Sequence, residues 1–147
     1  MAACSVRELA HYIVDKCTRD NKPISNLQLQ KILYFIQLAY CRESGRLLFD
    51  EPFEAWTYGP VLPDIYREYA SYGGRSIALT YDDIDTTSFS QLIGWINDGV
   101  DYLRERSPWE LVRVTHAEGS PWDRACNGEQ ANRQPIPNEY IEQAARG

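Results

Sequence analysis

Apolar residues recur at three- and four-residue intervals over much of this chain, the spacing that places them on one face of an α-helix. Val6, Leu9, Ala10, Ile13, Val14 and Cys17 form the first stripe, and Ser5-Val-Arg-Glu8 ahead of it predicts a reciprocal capping box. Ser25-Asn-Leu-Gln28 repeats that start signal. Behind it, Leu29, Ile32, Leu33, Ile36 and Tyr40 make one stripe and Leu27, Tyr34 and Leu38 a second, which predicts a helix buried on more than one side and ended by Gly45. Leu47-Leu48-Phe49 and the run from Phe53 to Tyr58, separated by Asp50-Glu51-Pro52, predict a small β-hairpin broken by Gly59-Pro60. Leu62, Ile65, Tyr66 and Tyr69 restore the helical period up to Gly73-Gly74, and Ile77 to Leu79 predict a third short strand.

Further helices are expected from near Ser88 (Phe89, Leu92, Ile93, Ile96, Val100, Leu103), from Pro108, from Pro121 and from Pro137. Proline suits a first helical position because its missing amide would be unpaired there anyway. Asn127 to Pro135 is polar and predicts a surface loop. No internal repeat or linker divides the chain. The expectation is one domain over residues 1–147, mainly α in an α+β arrangement: a helical bundle carrying a two- or three-stranded antiparallel β element.

Charge narrows the function classes. The 147 residues hold 15 Lys+Arg and 21 Asp+Glu, a net −6. Residues 61–110 carry four basic and nine acidic groups, so nearly all the excess acid lies mid-chain. That segment repels a phosphate backbone and no basic cluster offsets it, which disfavours nucleic acid as a partner. Asp82, Asp83 and Asp85 fit a solvated loop or a patch facing a basic protein. No run is long enough to span a bilayer, and the N-terminus has no secretory pattern. Cys4, Cys17, Cys41 and Cys126 form no CxxC pair, so reduced structural thiols and a cytoplasmic address are expected.

Catalytic motifs fail on spacing. His116-Ala117-Glu118 matches the H-x-E part of the zinc deaminases, but only Cys126 follows where a P-C-x-x-C must close the cage. HExxH, GxxxxGK[ST] and GxSxG are absent. His11 is expected at a helix surface or boundary. His116 is expected at a helix C-terminus, where an imidazolium meets the negative dipole end or a neutral ring bonds free carbonyls. A metal-dependent hydrolase centred on His116 and Glu118 stays open as an alternative.

Aromatics carry more information. Ten Tyr and four Trp gather at Trp56/Tyr58, at Tyr66/Tyr69/Tyr72 and at Trp109/Trp122. Such side chains suit half-buried cores and protein interfaces alike. Three ordered segments then stand out: Leu29-Gln30-Lys31-Ile32-Leu33-Tyr34; Glu54-Ala55-Trp56-Thr57-Tyr58-Gly59-Pro60-Val61; and Thr115-His116-Ala117-Glu118 with Pro121-Trp122. Together they resemble the Panacea domain family, which includes the SocA-type antitoxins and phage-encoded relatives, over about residues 5–145. The departure is Arg113-Val114, where the resemblance leads one to expect a small residue and Leu.

The resemblance implies a binding module without a cofactor. Its partner would be a cognate toxin, which it neutralises by direct contact or, acting as an adaptor, delivers to the ClpXP protease; a phage or prophage protein acting on a host factor is the alternative. Trp56, Tyr58, Gly59, Pro60, Val61, Tyr66, His116 and Trp122 are expected to form one connected partner-binding patch. Gln30, Lys31, Tyr34, Glu54, Thr115, Glu118 and Pro121 are expected to be scaffold. Lys31 is expected to snorkel with its amine in water, or to pair with Glu54 or Glu118.

Overall fold

The structure is a computed structural model and describes residues 4–147. Its helices are α1 (Val6–Arg19), α2 (Asn26–Ser44), α3 (Pro63–Glu68), α4 (Ile93–Arg104), α5 (Pro108–Thr115), α6 (Pro121–Cys126) and α7 (Asn138–Arg146). Three strands, β1 (Phe53–Trp56), β2 (Gly59–Val61) and β3 (Gln134–Ile136), form an antiparallel sheet in the order β2-β1-β3. The fold is mainly α with a small β element, as the spacing predicts.

Helix α2 is the axis of the molecule and packs against α1, α4, α5, α7 and β2. Leu29, Ile32, Leu33, Tyr34 and Ile36 are all buried, because its two apolar stripes meet neighbours on opposite sides. Its capping box is complete, and Gly45 ends it in the left-handed region at φ +76°. The stripe of α1 is buried throughout, from Val6 to Cys17. Its capping box is only half formed: Ser5 accepts from the Glu8 amide, but Glu8 accepts from the Asp85 amide instead of returning to Ser5. The Ser5 amide donates to Ser88.

The sheet differs from the expected hairpin. Leu47–Phe49 is not a strand, because the Gln37 side chain occupies its backbone: Oε1 accepts from the Leu48 amide (2.7 Å) and Nε2 donates to the Phe49 carbonyl (2.8 Å). The turn lies instead at Thr57-Tyr58, and Gly59-Pro60 belong to β2, with Trp56 opposite Gly59 and Ala55 opposite Pro60. Both strands that hold a proline, β2 and β3, are sheet edges, where a missing amide breaks no ladder. The third strand is β3, drawn from the segment expected to be loop, with Phe53 opposite Ile136.

Ile77–Leu79 joins no named strand. It is stapled to α1 through Thr18, whose hydroxyl donates to the Ile77 carbonyl and accepts from the Leu79 amide, while Ile77 donates to the Ile24 carbonyl. The helix expected near Ser88 starts as a 3-10 turn, Thr87–Leu92, and bends at Phe89 (φ −137°) before α4 begins. The helix after Leu62 likewise stops at Glu68 and finishes as a 3-10 turn, Ala70–Tyr72. Pro108 and Pro121 open α5 and α6 at the expected positions. All four cysteines are free and buried. Among the described residues, no helix is long and apolar enough to cross a membrane.

Candidate functional site

Burial sorts the candidate residues into two layers. The inner layer centres on Lys31, which is fully buried and donates from Nζ to the Pro60 carbonyl at 2.9 Å. It neither snorkels nor pairs with a carboxylate. Glu54 instead accepts from the Trp56 indole (3.0 Å), and Glu118 is exposed. The cause is β2, which crosses over α2 and shuts the amine away from water. Loss of hydration pushes the Lys31 pKa down to about 7.

Gly59 makes this crossing possible. Its φ is +109°, and a Cβ there would lie 2.6 Å from Lys31 Cε and 2.7 Å from Thr115 Oγ1. Glycine is required both for the dihedral and for the close approach. Thr115 donates to the Val112 carbonyl, and the Ser120 hydroxyl donates to the Thr115 carbonyl, joining α5 to α6. Gln30 bridges the Leu62 amide and the Asn26 side chain. Tyr34 packs edge-on to Phe35 and Phe53. Pro121 is buried at the start of α6.

His116 caps the C-terminus of α5, where its backbone amide bonds the Val112 and Arg113 carbonyls. Its ring does not bond a free carbonyl. It stacks on Trp122 at 3.8 Å and 10°, leaving Nε2 buried without a partner. Burial, and secondarily the nearby charge of Lys31, hold its pKa below the usual histidine value, so the imidazolium expected at the dipole end is disfavoured. Trp122 donates from Nε1 to the Trp56 carbonyl (2.8 Å), which puts the His116–Trp122 stack behind β1.

The outer layer is a groove of about 710 Å³. Trp56, Tyr58, Val61 and Tyr66 line it, as does Trp109 from the start of α5. Tyr58 and Trp109 meet edge-to-face at 5.2 Å and are 54% and 56% exposed, which makes an accessible lip. Trp56 contacts Tyr66 at 4.9 Å, and the Arg133 guanidinium lies 4.1 Å over its ring. The eight expected patch residues therefore divide. Four line the groove, Gly59 and Pro60 are buried beneath it, and His116 and Trp122 support Trp56 from behind. Sequence reasoning missed Arg133; the aromatic clustering already contained Trp109.

The groove is a concave surface walled largely by aromatic side chains. Among the described residues, no three His, Cys, Asp or Glu side chains converge as a metal ligand set, so the His116/Glu118 alternative has no cage. His11, buried on α1, donates from Nε2 to the Glu68 carboxylate at 2.6 Å and stacks on Tyr81.

Comparison with known proteins agrees with the resemblance carried by the three motifs. The chain is 35% identical to "Antitoxin SocA" of Caulobacter vibrioides (strain NA1000 / CB15N) over 136 residues, 86% of this chain and 72% of that protein. No solved structure matches. The family described as "Antitoxin SocA-like, Panacea domain" matches residues 29–123, which run from the LQKILY segment through the groove wall to the Trp122 support. The chain belongs to the Antitoxin SocA-like, Panacea domain family.

Proposed function

We propose that this protein is an antitoxin that neutralises a cognate toxin by direct contact, with the aromatic groove as its docking surface. The observation that carries the reading is the exposed Tyr58–Trp109 lip over a groove walled by Trp56 and Tyr66, in a chain of an antitoxin family. Large rigid aromatics in a concave surface are the residues that dominate binding energy when a partner excludes water from them. The scaffold beneath is polar but satisfied at Gln30, Lys31 and Thr115, which holds the groove in shape and reduces the ordering lost on binding.

Co-expression with the product of the neighbouring gene tests this. Growth rescue, together with a co-purifying complex, is the expected result. Toxin levels separate two modes: unchanged levels mean occlusion, and a fall reversed by ClpXP depletion means delivery to that protease. Absence of both rescue and complex refutes the proposal.

A further inference from the structure

The groove has one formal charge in its lining, and it is positive. Arg133 sits there in a chain of net −6. Its backbone takes φ +61°, a region that side-chain-bearing residues rarely adopt, and its amide is fixed by a 2.8 Å bond to the Ala55 carbonyl. This conformation lays the guanidinium over Trp56 at 4.1 Å. Among the described residues it enters no ion pair, although nine such contacts engage other Lys and Arg side chains of the chain. A guanidinium held over a ring and outside any ion pair can offer its N–H fork to a carboxylate, which it grips with two parallel bonds. The N-terminus of α2, at Ser25–Leu27, lines the same groove and adds a field of the same sign.

We infer that the groove receives a peptide segment in which a carboxylate stands beside an aromatic or large apolar side chain. The carboxylate meets Arg133, and the neighbouring side chain enters between Trp56, Tyr66 and the Tyr58–Trp109 lip. This inference rests on reading the groove as the toxin-docking surface and names what the docking segment carries. A protein segment is favoured over nucleic acid because one cation in an acidic molecule cannot follow a phosphate backbone. The single charge matches a single acid beside an anchor.

Panning the full chain against a random dodecapeptide phage library tests the occupant without any toxin. The expected result is enrichment of peptides with Asp or Glu within a few positions of Phe, Tyr, Trp or Leu. A synthetic enriched peptide, followed by tryptophan fluorescence, should bind Arg133→Glu about tenfold or more weakly. Arg133→Lys should fall between the two, since it keeps the charge but not the fork. Melting temperatures of both variants verify folding. No acidic consensus, or equal binding by Arg133→Glu, overturns the inference. So does Arg133-dependent quenching by ATP or by oligo(dT) that outcompetes the peptide. Rescue from the toxin without an acidic consensus sinks this inference and leaves the antitoxin reading standing. An acidic consensus without toxin binding does the reverse.

Discussion

Replacing Gly59 by alanine should damage this protein far more than a surface glycine would. The new Cβ would stand 2.6 Å from Lys31 Cε and 2.7 Å from Thr115 Oγ1. Neither neighbour can retreat freely, since Lys31 is tied to the Pro60 carbonyl and Thr115 to the Val112 carbonyl, both in full burial. Overpacking of a filled interior costs about 1–3 kcal/mol. A non-glycine residue held at the observed φ of +109° adds about 1–3 kcal/mol of strain. Together these give about 2–6 kcal/mol, and for a chain of this length the melting temperature should fall by about 7–20 °C. Thermal unfolding by circular dichroism measures it. A double-mutant cycle identifies the cause: Lys31→Ala removes the Cε that is struck, so Gly59→Ala should be milder by at least about 1 kcal/mol in that background. Lys31→Met, which retains a terminal carbon there, should give little relief. A melting temperature within about 2 °C of the parent, or strict additivity with Lys31→Ala, would refute the packing described.

Lys31 also makes stability depend on pH. Its folded pKa, about 7, lies below the ordinary 10.5, so between these values the unfolded chain holds a proton that the native one lacks, and stability is lost as pH falls. Relative to Lys31→Met, the wild type should weaken by about 1.4 kcal/mol per unit from pH 9 to about 7 and level off below; denaturant midpoints across that range check it, and a flat difference contradicts it. Gln37→Leu should cost about 2–4 kcal/mol by orphaning the Leu48 amide and the Phe49 carbonyl, visible as a lower urea midpoint with unchanged slope. Tyr58→Ala and Trp109→Ala, both at exposed positions, should leave the melting temperature within about 3 °C while each weakens the toxin complex about thirtyfold; calorimetric titration decides, and unchanged affinity in both would remove the groove from the interface.

Helices were legible where two independent signals coincided. In α2 the double stripe, the Ser25–Gln28 box and Gly45 each mark the same element, so its position and its burial on both sides follow from pattern alone. The sheet was less legible because its boundaries depend on distant partners. Leu47–Phe49 has strand-like composition, yet a glutamine one helix away satisfies its backbone. Gly59-Pro60 has the composition of a break, yet it serves as an edge strand because that edge needs no amide. The same limit hid the inner site. Lys31 between apolar neighbours announces burial of its stem, but nothing local reveals a carbonyl 29 residues away waiting for the amine. Arg133 gave no signal at all, since its place in the groove comes from a positive φ and a bond to Ala55.

The motif segments and the groove are related as support and load. The Trp56 indole shows both roles in one residue: its ring forms the groove wall under Arg133, while its carbonyl is held by Trp122 and its N–H by Glu54. Gly59 and Pro60 lie directly beneath, locked onto Lys31. Tyr58, at the turn between them, is thereby presented outward on a rigid base, against Trp109. Buried hydrogen bonds of this kind contribute little net stability one by one, but leaving any of them unmade is expensive. They therefore restrict the groove to one shape more than they add to its strength. A partner meeting that shape loses less freedom than one meeting a mobile loop, and the gain appears as affinity without any additional contact. Under the docking reading proposed above, His116 contributes although it lies outside the groove: its ring braces Trp122, Trp122 holds the Trp56 carbonyl, and the groove wall stands where that chain of contacts puts it.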